Sequence, residues 1–113
     1  MYIRWYRHPL RRRQDSRQWV ALVESVRTAH GPRQRTVCYL GSIRECYRMA
    51  PAHRQAFWAT VDKRLAALDI PAMTRQLLER QLVQQVPRPT EAELADLMAL
   101  RATLAALVAS PPV

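Results

Sequence analysis

The first forty residues contain three runs with the pattern of strands, at residues 1–7, 19–26 and 33–40. The first run alternates aromatic or apolar residues with basic ones, and the second is almost continuously apolar. The runs are rich in aromatic and β-branched residues, a composition typical of strands. His8-Pro9 ends the first run, and a turn containing Gly31-Pro32 separates the other two. The pattern therefore predicts a three-stranded antiparallel sheet whose middle strand is the most apolar. Such a sheet needs a cover on its apolar face.

Strict alternation also predicts which side chains share a face. In the first strand, Tyr2, Arg4 and Tyr6 lie on one side. In the third strand, one face carries Arg33, Arg35, Val37 and Tyr39, and the other carries Gln34, Thr36, Cys38 and Leu40. Aromatic residues on a small sheet usually form its core. We therefore expect Trp19, Phe57 and Trp58 at a sheet–helix interface, whereas Tyr2, Tyr6 and Tyr39 stay open to either role.

The pattern becomes helical after Gly41. Ser42 and Glu45 have the spacing of a capping box and predict a short helix ending near Met49. Pro51 suits the first position of the next helix. An apolar stripe follows there, formed by Phe57, Val61, Leu65 and Leu68. A further helix is predicted from residue 71 or 74 to 85, with a buried side formed by Met73, Leu77, Leu78, Leu82 and Val86.

The last predicted helix follows a stiff Pro87-Arg88-Pro89 joint. Thr90 and Glu93 form a second capping box, and the helix is expected to run to about Ala109. Its leucines recur with the spacing of a coiled-coil seam: Leu97, Leu100, Leu104 and Leu107. This seam predicts a homodimer, with packing on its own chain as the alternative. The expected fold is α+β, a three-stranded sheet followed by three to four α-helices, in a domain of residues 1–86 and an interaction helix at 90–110.

Charge is concentrated in the first half of the chain. Residues 1–54 hold twelve arginines and three acids, which accounts for the whole net charge of +9, whereas residues 55–113 are balanced. A one-sided basic half is the pattern expected of a protein that binds a polyanion. Arginine can fork onto a phosphate or a guanine edge. The predicted nucleic-acid-binding residues are those of the basic loop at residues 10–17 and its neighbours: Arg4, Arg7, Arg11, Arg12, Arg13, Arg17, Arg33 and Arg35.

Other classes of chemistry find little support in the sequence. The chain has two glycines and therefore no glycine-rich phosphate loop, and its acids are scattered, so we expect no enzyme and no cofactor. The spacing of His30, Cys38, Cys46 and His53 does not match zinc sites, and we expect two buried thiols in a reducing compartment.

No apolar run is long enough to span a bilayer, and we see no secretory signal before the strands. These features favour the cytoplasm.

Three segments, in this order along the chain, resemble the N-terminal, non-catalytic part of bacterial DDE insertion-sequence transposases. They are Tyr2-Ile3-Arg4, residues 20–27 (VALVESVR) and residues 32–43 (PRQRTVCYLGSI). The resemblance covers about residues 1–43 and implies a role in DNA binding or end recognition. The catalytic domain with its DDE acids is not matched. A role for Arg33 and Arg35, and a structural role for Tyr39-Leu40-Gly41, are what the resemblance implies.

Double-stranded DNA is the partner that these observations favour. A mobile-element origin would fit the resemblance. One alternative is a phage- or plasmid-encoded interaction module, an inhibitor or adaptor that acts on an acidic protein or on an RNA–protein complex. A second alternative is an RNA-binding protein, since aromatic residues on a sheet can stack on unpaired bases.

Overall fold

A computed structural model describes residues 1–10 and 15–109 and has the predicted α+β architecture. Three antiparallel strands are followed by one turn of 3₁₀-helix and three α-helices. Their bounds are β1 Tyr2–Pro9, β2 Ser16–Thr28, β3 Gly31–Arg44, the 3₁₀ turn Glu45–Tyr47, α1 Pro51–Ala66, α2 Ala72–Gln85 and α3 Glu91–Ala109. The strand order is β1-β2-β3, so β2 is the central strand, as predicted.

The strands are longer than the alternation predicted. Pro9 still pairs with Ser16 at the end of β1, which an edge strand tolerates because its outer side needs no donor. The β2–β3 hairpin closes at Gly31, whose φ of 100° favours glycine. β1 pairs only with residues 16–23 of β2. Residues 24–35 therefore form a two-stranded extension, called the ribbon below.

Two β-bulges in β3 make the predicted face assignment of this strand wrong. Thr36 pairs with Val23 and Cys38 with Leu22, so Val37 is an extra residue, and Leu40 is a second one. Each extra residue reverses the alternation that follows it. Consequently Tyr39 lies on the face opposite to that of Arg35.

The hydrophobic core lies on one face of the sheet, between it and the helices. Phe57, Val61 and Leu65 form the predicted stripe of α1 and are buried, while Leu68 packs at its margin. The full buried cluster comprises Val20, Leu22, Leu40, Ile43, Phe57, Trp58, Val61, Leu65, Leu78, Leu82 and Val86. Trp5 of β1 stacks on Phe57 with 6.1 Å between ring centroids. Phe57 and Trp58 are at the sheet–helix interface, as predicted.

The buried side of α2 is narrower than predicted. Leu78, Leu82 and Val86 are buried, but Met73 is 76% exposed and Leu77 is 54% exposed. On a helix of 3.6 residues per turn, Leu77 lies about 100° from Leu78, so the sheet reaches only one of the two. The prediction for Met73 and Leu77 was therefore wrong.

The first predicted capping box is also wrong. Ser42 still belongs to β3, where its hydroxyl accepts a hydrogen bond from Arg17 at 2.9 Å. The 3₁₀ turn that follows begins after Arg44 and has no side-chain cap. Pro51 does occupy the first turn of α1. The second box is confirmed, because the Thr90 hydroxyl and the Glu93 carboxylate exchange 3.1 Å hydrogen bonds with each other's backbone amides.

Helix α3 buries none of its described residues and is held at its start by Arg54 of α1. This buried guanidinium donates to the Pro87 carbonyl at 3.1 Å and pairs with Glu93. Arg88 stacks over Trp58 at 3.9 Å and forms a two-pronged ion pair with Asp62. No helix in the described part of the chain is long and apolar enough to cross a membrane.

The division of the chain into a domain of residues 1–86 and an interaction helix at residues 90–110 stays a prediction.

Truncation of Phe57 tests the packing of α1 on the sheet. Phe57→Ala should lower the free energy of unfolding by about 3–5 kcal/mol, because it removes a buried ring and leaves a cavity. Met73→Ala, on the exposed side of α2, should change it by less than about 0.5 kcal/mol. Urea unfolding followed by circular dichroism measures both. Equal effects of the two substitutions would contradict this packing.

Candidate nucleic-acid interface

The sheet face turned away from the helices is the first part of the candidate site, and we call it the outer face. Val20 and Leu22 belong to the cluster that packs against the helices, whereas the alternate residues Ala21 and Val23 are buried outside that cluster, on the other side of the sheet. The residues paired with them complete cross-strand rows on this side. The rows are Tyr2–Val23–Thr36, Arg4–Ala21–Tyr39, Tyr6–Trp19–Ser42 and His8–Arg17–Arg44.

Aromatic rings and guanidinium groups alternate across the outer face. Arg4 lies over the ring of Tyr6 at 5.0 Å and donates to Gln34, whose amide in turn bonds the Tyr2 hydroxyl. Trp19 meets Tyr39 edge to face at 6.4 Å. Tyr2, Arg4 and Tyr6 thus share a face as predicted, but Trp19 is not part of the sheet–helix interface. Half-exposed rings beside arginines can stack on bases and bind phosphates.

The ribbon is the second part of the candidate site. Its exposed arginines are Arg27, Arg33 and Arg35, and its one acid, Glu24, pairs with Arg35. At the tip, the Thr28 hydroxyl donates to the Gly31 carbonyl at 2.8 Å and accepts from the His30 amide at 3.3 Å. A two-stranded ribbon of this kind fits the major groove of DNA.

The predicted site residues do not gather on one surface. Arg4 and Arg17 lie on the outer face, and Arg33 and Arg35 lie on the ribbon. Arg7 belongs to the helix side, where it donates to the Ser16 hydroxyl at 2.9 Å and pairs with Glu45 at 3.3 Å. Arg11, Arg12 and Arg13 lie outside the described residues.

Asp15 anchors the end of the sheet at the start of β2. Its carboxylate accepts hydrogen bonds from Arg44 at 3.0 Å and from the Cys46 amide at 3.2 Å. The Cys46 thiol and these donors lower the pKa of Asp15 from 3.8 to about 2. The same contact raises the pKa of Cys46. Arg44 is therefore neutralised locally, whereas Arg4, Arg17, Arg27 and Arg33 have no acidic partner among the described residues.

A cleft of roughly 560 Å³ opens where the edge of β3 meets α1, and we call it the edge cleft. Arg64 of α1 reaches the strand and donates to the Tyr39 carbonyl at 2.6 Å. Tyr47 and His53 stack with their rings 4.1 Å apart and nearly parallel. The lining comprises Arg17, Trp19, Gly41, Ser42, Ile43, Arg44, Tyr47, His53, Ala56, Phe57, Thr60 and Arg64. Of these lining residues, only Arg17 was predicted to bind nucleic acid. The others come together only when β3 packs beside α1, which the sequence pattern does not show.

The cysteines and histidines do not form a cluster. Within residues 1–10 and 15–109, no three His, Cys, Asp or Glu side chains are grouped so that they could hold a metal ion. Cys38 and Cys46 are free thiols. Cys38 is half-buried and Cys46 is exposed, so the expectation of two buried thiols was wrong.

One comparison with known proteins gives a match. Residues 9–81 match the model of the IS1634 family transposase N-terminal domain. The match includes β2, β3 and α1, most of α2 and the end of β1. The match begins after Tyr2-Ile3-Arg4, includes the other two segments of the resemblance and continues well beyond residue 43. No curated protein and no solved structure matches the chain.

Substitution of Asp15 tests its role as an anchor. Because the folded-state pKa lies below the ordinary value of 3.8, the carboxylate stabilises the fold above that pH, and the contribution is lost as the pH falls through about 2. Asp15→Asn should lower the melting temperature at pH 6 and flatten its fall between about pH 4 and pH 2. Asp69→Asn, at an exposed position between α1 and α2, is the control. Identical pH profiles for both variants and the parent would exclude the anchor.

Proposed function

The chain belongs to the family of IS1634 transposase N-terminal domains, and we propose from that premise that it binds double-stranded DNA. The observation that carries the proposal is the arginine-rich surface formed by the ribbon and the outer face, on the side of the sheet that the described helices do not cover. We propose further that it acts in the cytoplasm and derives from a mobile element.

The distribution of charge supports DNA as the partner. Each acid of the first half is held by an arginine: Asp15 by Arg44, Glu24 by Arg35 and Glu45 by Arg7. The remaining arginines of the ribbon and the outer face have no acidic partner in the described part of the chain. Uncompensated guanidinium groups attract phosphates and release the counterions of DNA, which gives affinity at low salt.

The shape of the ribbon supports a duplex. Two strands lie about 5 Å apart, so the ribbon with its side chains suits a major groove about 12 Å wide. In that position Arg27 and Arg33 would face phosphates or guanine edges. The outer face would then lie along the neighbouring sugar-phosphate backbone of the DNA, with Arg4 and Arg17 near the phosphates.

We propose a binding role without catalysis. Metal-assisted strand transfer uses two or three converging carboxylates. In the sheet half of this chain, the three acids are each engaged by an arginine and lie on different elements. This arrangement supports recognition rather than bond cleavage.

Removal of two arginines tests the proposed DNA surface. For a duplex, the logarithm of the binding constant falls with the logarithm of salt with a slope of about −0.9 per phosphate contacted. The double variant Arg4→Ala/Arg33→Ala should reduce that slope by up to about 1.8. Lys63→Ala/Arg80→Ala removes the same charge from the helical side and should leave it nearly unchanged. Fluorescence anisotropy with a labelled duplex measures both.

Substitutions in the basic loop provide a second test, measured by the same salt titration. Replacement of Arg11, Arg12 and Arg13 by Ala should weaken binding to all sequences alike, with about one unit of slope lost per phosphate contact. Single strands and a structured RNA serve as competing ligands. Tighter binding to RNA would favour the RNA alternative, and weak binding to every nucleic acid would favour the protein-interaction module.

Helix α3 carries a second proposal, a homodimer. Leu100, Leu104 and Leu107 are more than half exposed, while Leu97 is half-buried toward the chain itself. Burial of apolar side chains is the main source of association free energy. A second copy of the helix could cover the three exposed leucines, and two bound copies would match a two-fold DNA site.

The molar mass of the full chain in solution tests the dimer. We expect twice the chain mass of 13.1 kDa, measured by light scattering. Leu100→Glu/Leu104→Glu should give the monomeric mass, because it places charges in the seam. Ala102→Glu, on the opposite side of α3, should leave the dimer intact. A monomeric parent chain would refute the seam.

A further inference from the structure

The edge cleft combines the two chemistries that recognise a nucleotide. Its lining includes three guanidinium groups, the hydroxyls of Ser42 and Thr60, and the rings of Trp19, Tyr47 and His53. No carboxylate is among the lining residues, so nothing in the described lining repels a phosphate. Its volume of roughly 560 Å³ lies within the usual range of small-ligand sites, about 300–1,000 Å³.

Two of the three guanidinium groups have no acidic partner in the described chain, so their charge is available to bind an anion. Arg44 is paired with Asp15 at 2.9 Å. Arg17 and Arg64 each donate to a neutral oxygen, that of Ser42 and that of Tyr39, and have no acidic partner in the described chain. These hydrogen bonds hold the two side chains at the β3 edge, which lowers the entropy lost when an anion binds.

The edge cleft is continuous with the outer face. Arg17, Trp19, Ser42 and Arg44 belong both to the rows of the outer face and to the lining of the cleft. A DNA strand that lies along the outer face therefore passes the mouth of the cleft. A base that leaves the stack at that point meets the half-buried Trp19 and the ring pair of Tyr47 and His53.

We infer that the edge cleft binds one unpaired nucleotide of the DNA, with its phosphate on Arg17 and Arg64 and its base against the aromatic rings. The inference rests on the proposed DNA binding and adds a preference for locally unpaired DNA. Stacking of a base on an aromatic side chain contributes about 1–3 kcal/mol. One such contact corresponds to a preference of about 5- to 150-fold.

Three DNA duplexes of identical sequence test the inference. One is fully paired, one carries a single extra thymine in one strand, and one carries an abasic nucleotide at that place. The thymine bulge should bind at least about fivefold more tightly than both others. Equal binding of the thymine and abasic bulges would overturn the inference, because it would show that the base is not contacted.

Variants then locate the contact. Arg64→Ala should abolish the preference for the thymine bulge, whereas Lys63→Ala, which removes an equal charge one position earlier on α1, should keep it. Arg64→Lys, which keeps the charge, should retain part of it and guards against a folding defect. Equal preferences in Arg64→Ala and Lys63→Ala would overturn the inference while leaving DNA binding standing.

Fluorescence gives an independent readout. The thymine bulge should quench tryptophan emission in the parent chain, and Trp19→Phe should remove that quenching, since Trp58 is buried and Trp5 packs on the core. Quenching that persists in Trp19→Phe would exclude Trp19 as the contact and overturn the inference. Failure to bind any of the three duplexes would refute the proposed function itself and the inference with it.

Discussion

Burial of the helix-facing side of the sheet determines where the charged side chains of the strands lie. The aromatic and aliphatic side chains of α1 and α2 cover Val20, Leu22 and Leu40 and leave the alternate residues of each strand on the other side. Burying an unpaired charge is far too costly for the core to accept one. The arginines of the strands must therefore occupy the outer face, the strand ends or the ribbon.

Ion pairs then separate structural arginines from those available to a ligand. Arg7, Arg35 and Arg44 are each committed to an acid of the same half, and Arg54 and Arg88 fix the start of α3. Exposed ion pairs contribute little to stability, so their main effect here is on the pattern of charge. Among the described residues of the strands and the edge cleft, the arginines without an acidic partner form a band that runs from the ribbon across the outer face to the edge cleft.

Much of the fold could be predicted from local patterns. The failed predictions concern features that depend on how separate elements pack or pair with each other. Runs rich in aromatic and β-branched residues located three strands, and the spacing of Phe57, Val61 and Leu65 located the helix that covers them. The bulges at Val37 and Leu40 could not be predicted, because they arise from the register of β3 on β2. Trp19 was placed on the wrong face because residues 19–23 are all apolar, so the sequence does not show which alternate set faces the helices. The edge cleft was missed because it forms only where β3 packs beside α1. Arg4, Arg17, Arg33 and Arg35 could be proposed because charge asymmetry is visible in the sequence.

The most direct test of this account is a map of backbone amide chemical shifts during titration with a DNA duplex. The account predicts that the largest shifts fall in the ribbon, in β1 and in the residues at the edge cleft, while the amides of α2 stay in place. Shifts concentrated in α2 or α3, with the ribbon unperturbed, would contradict it.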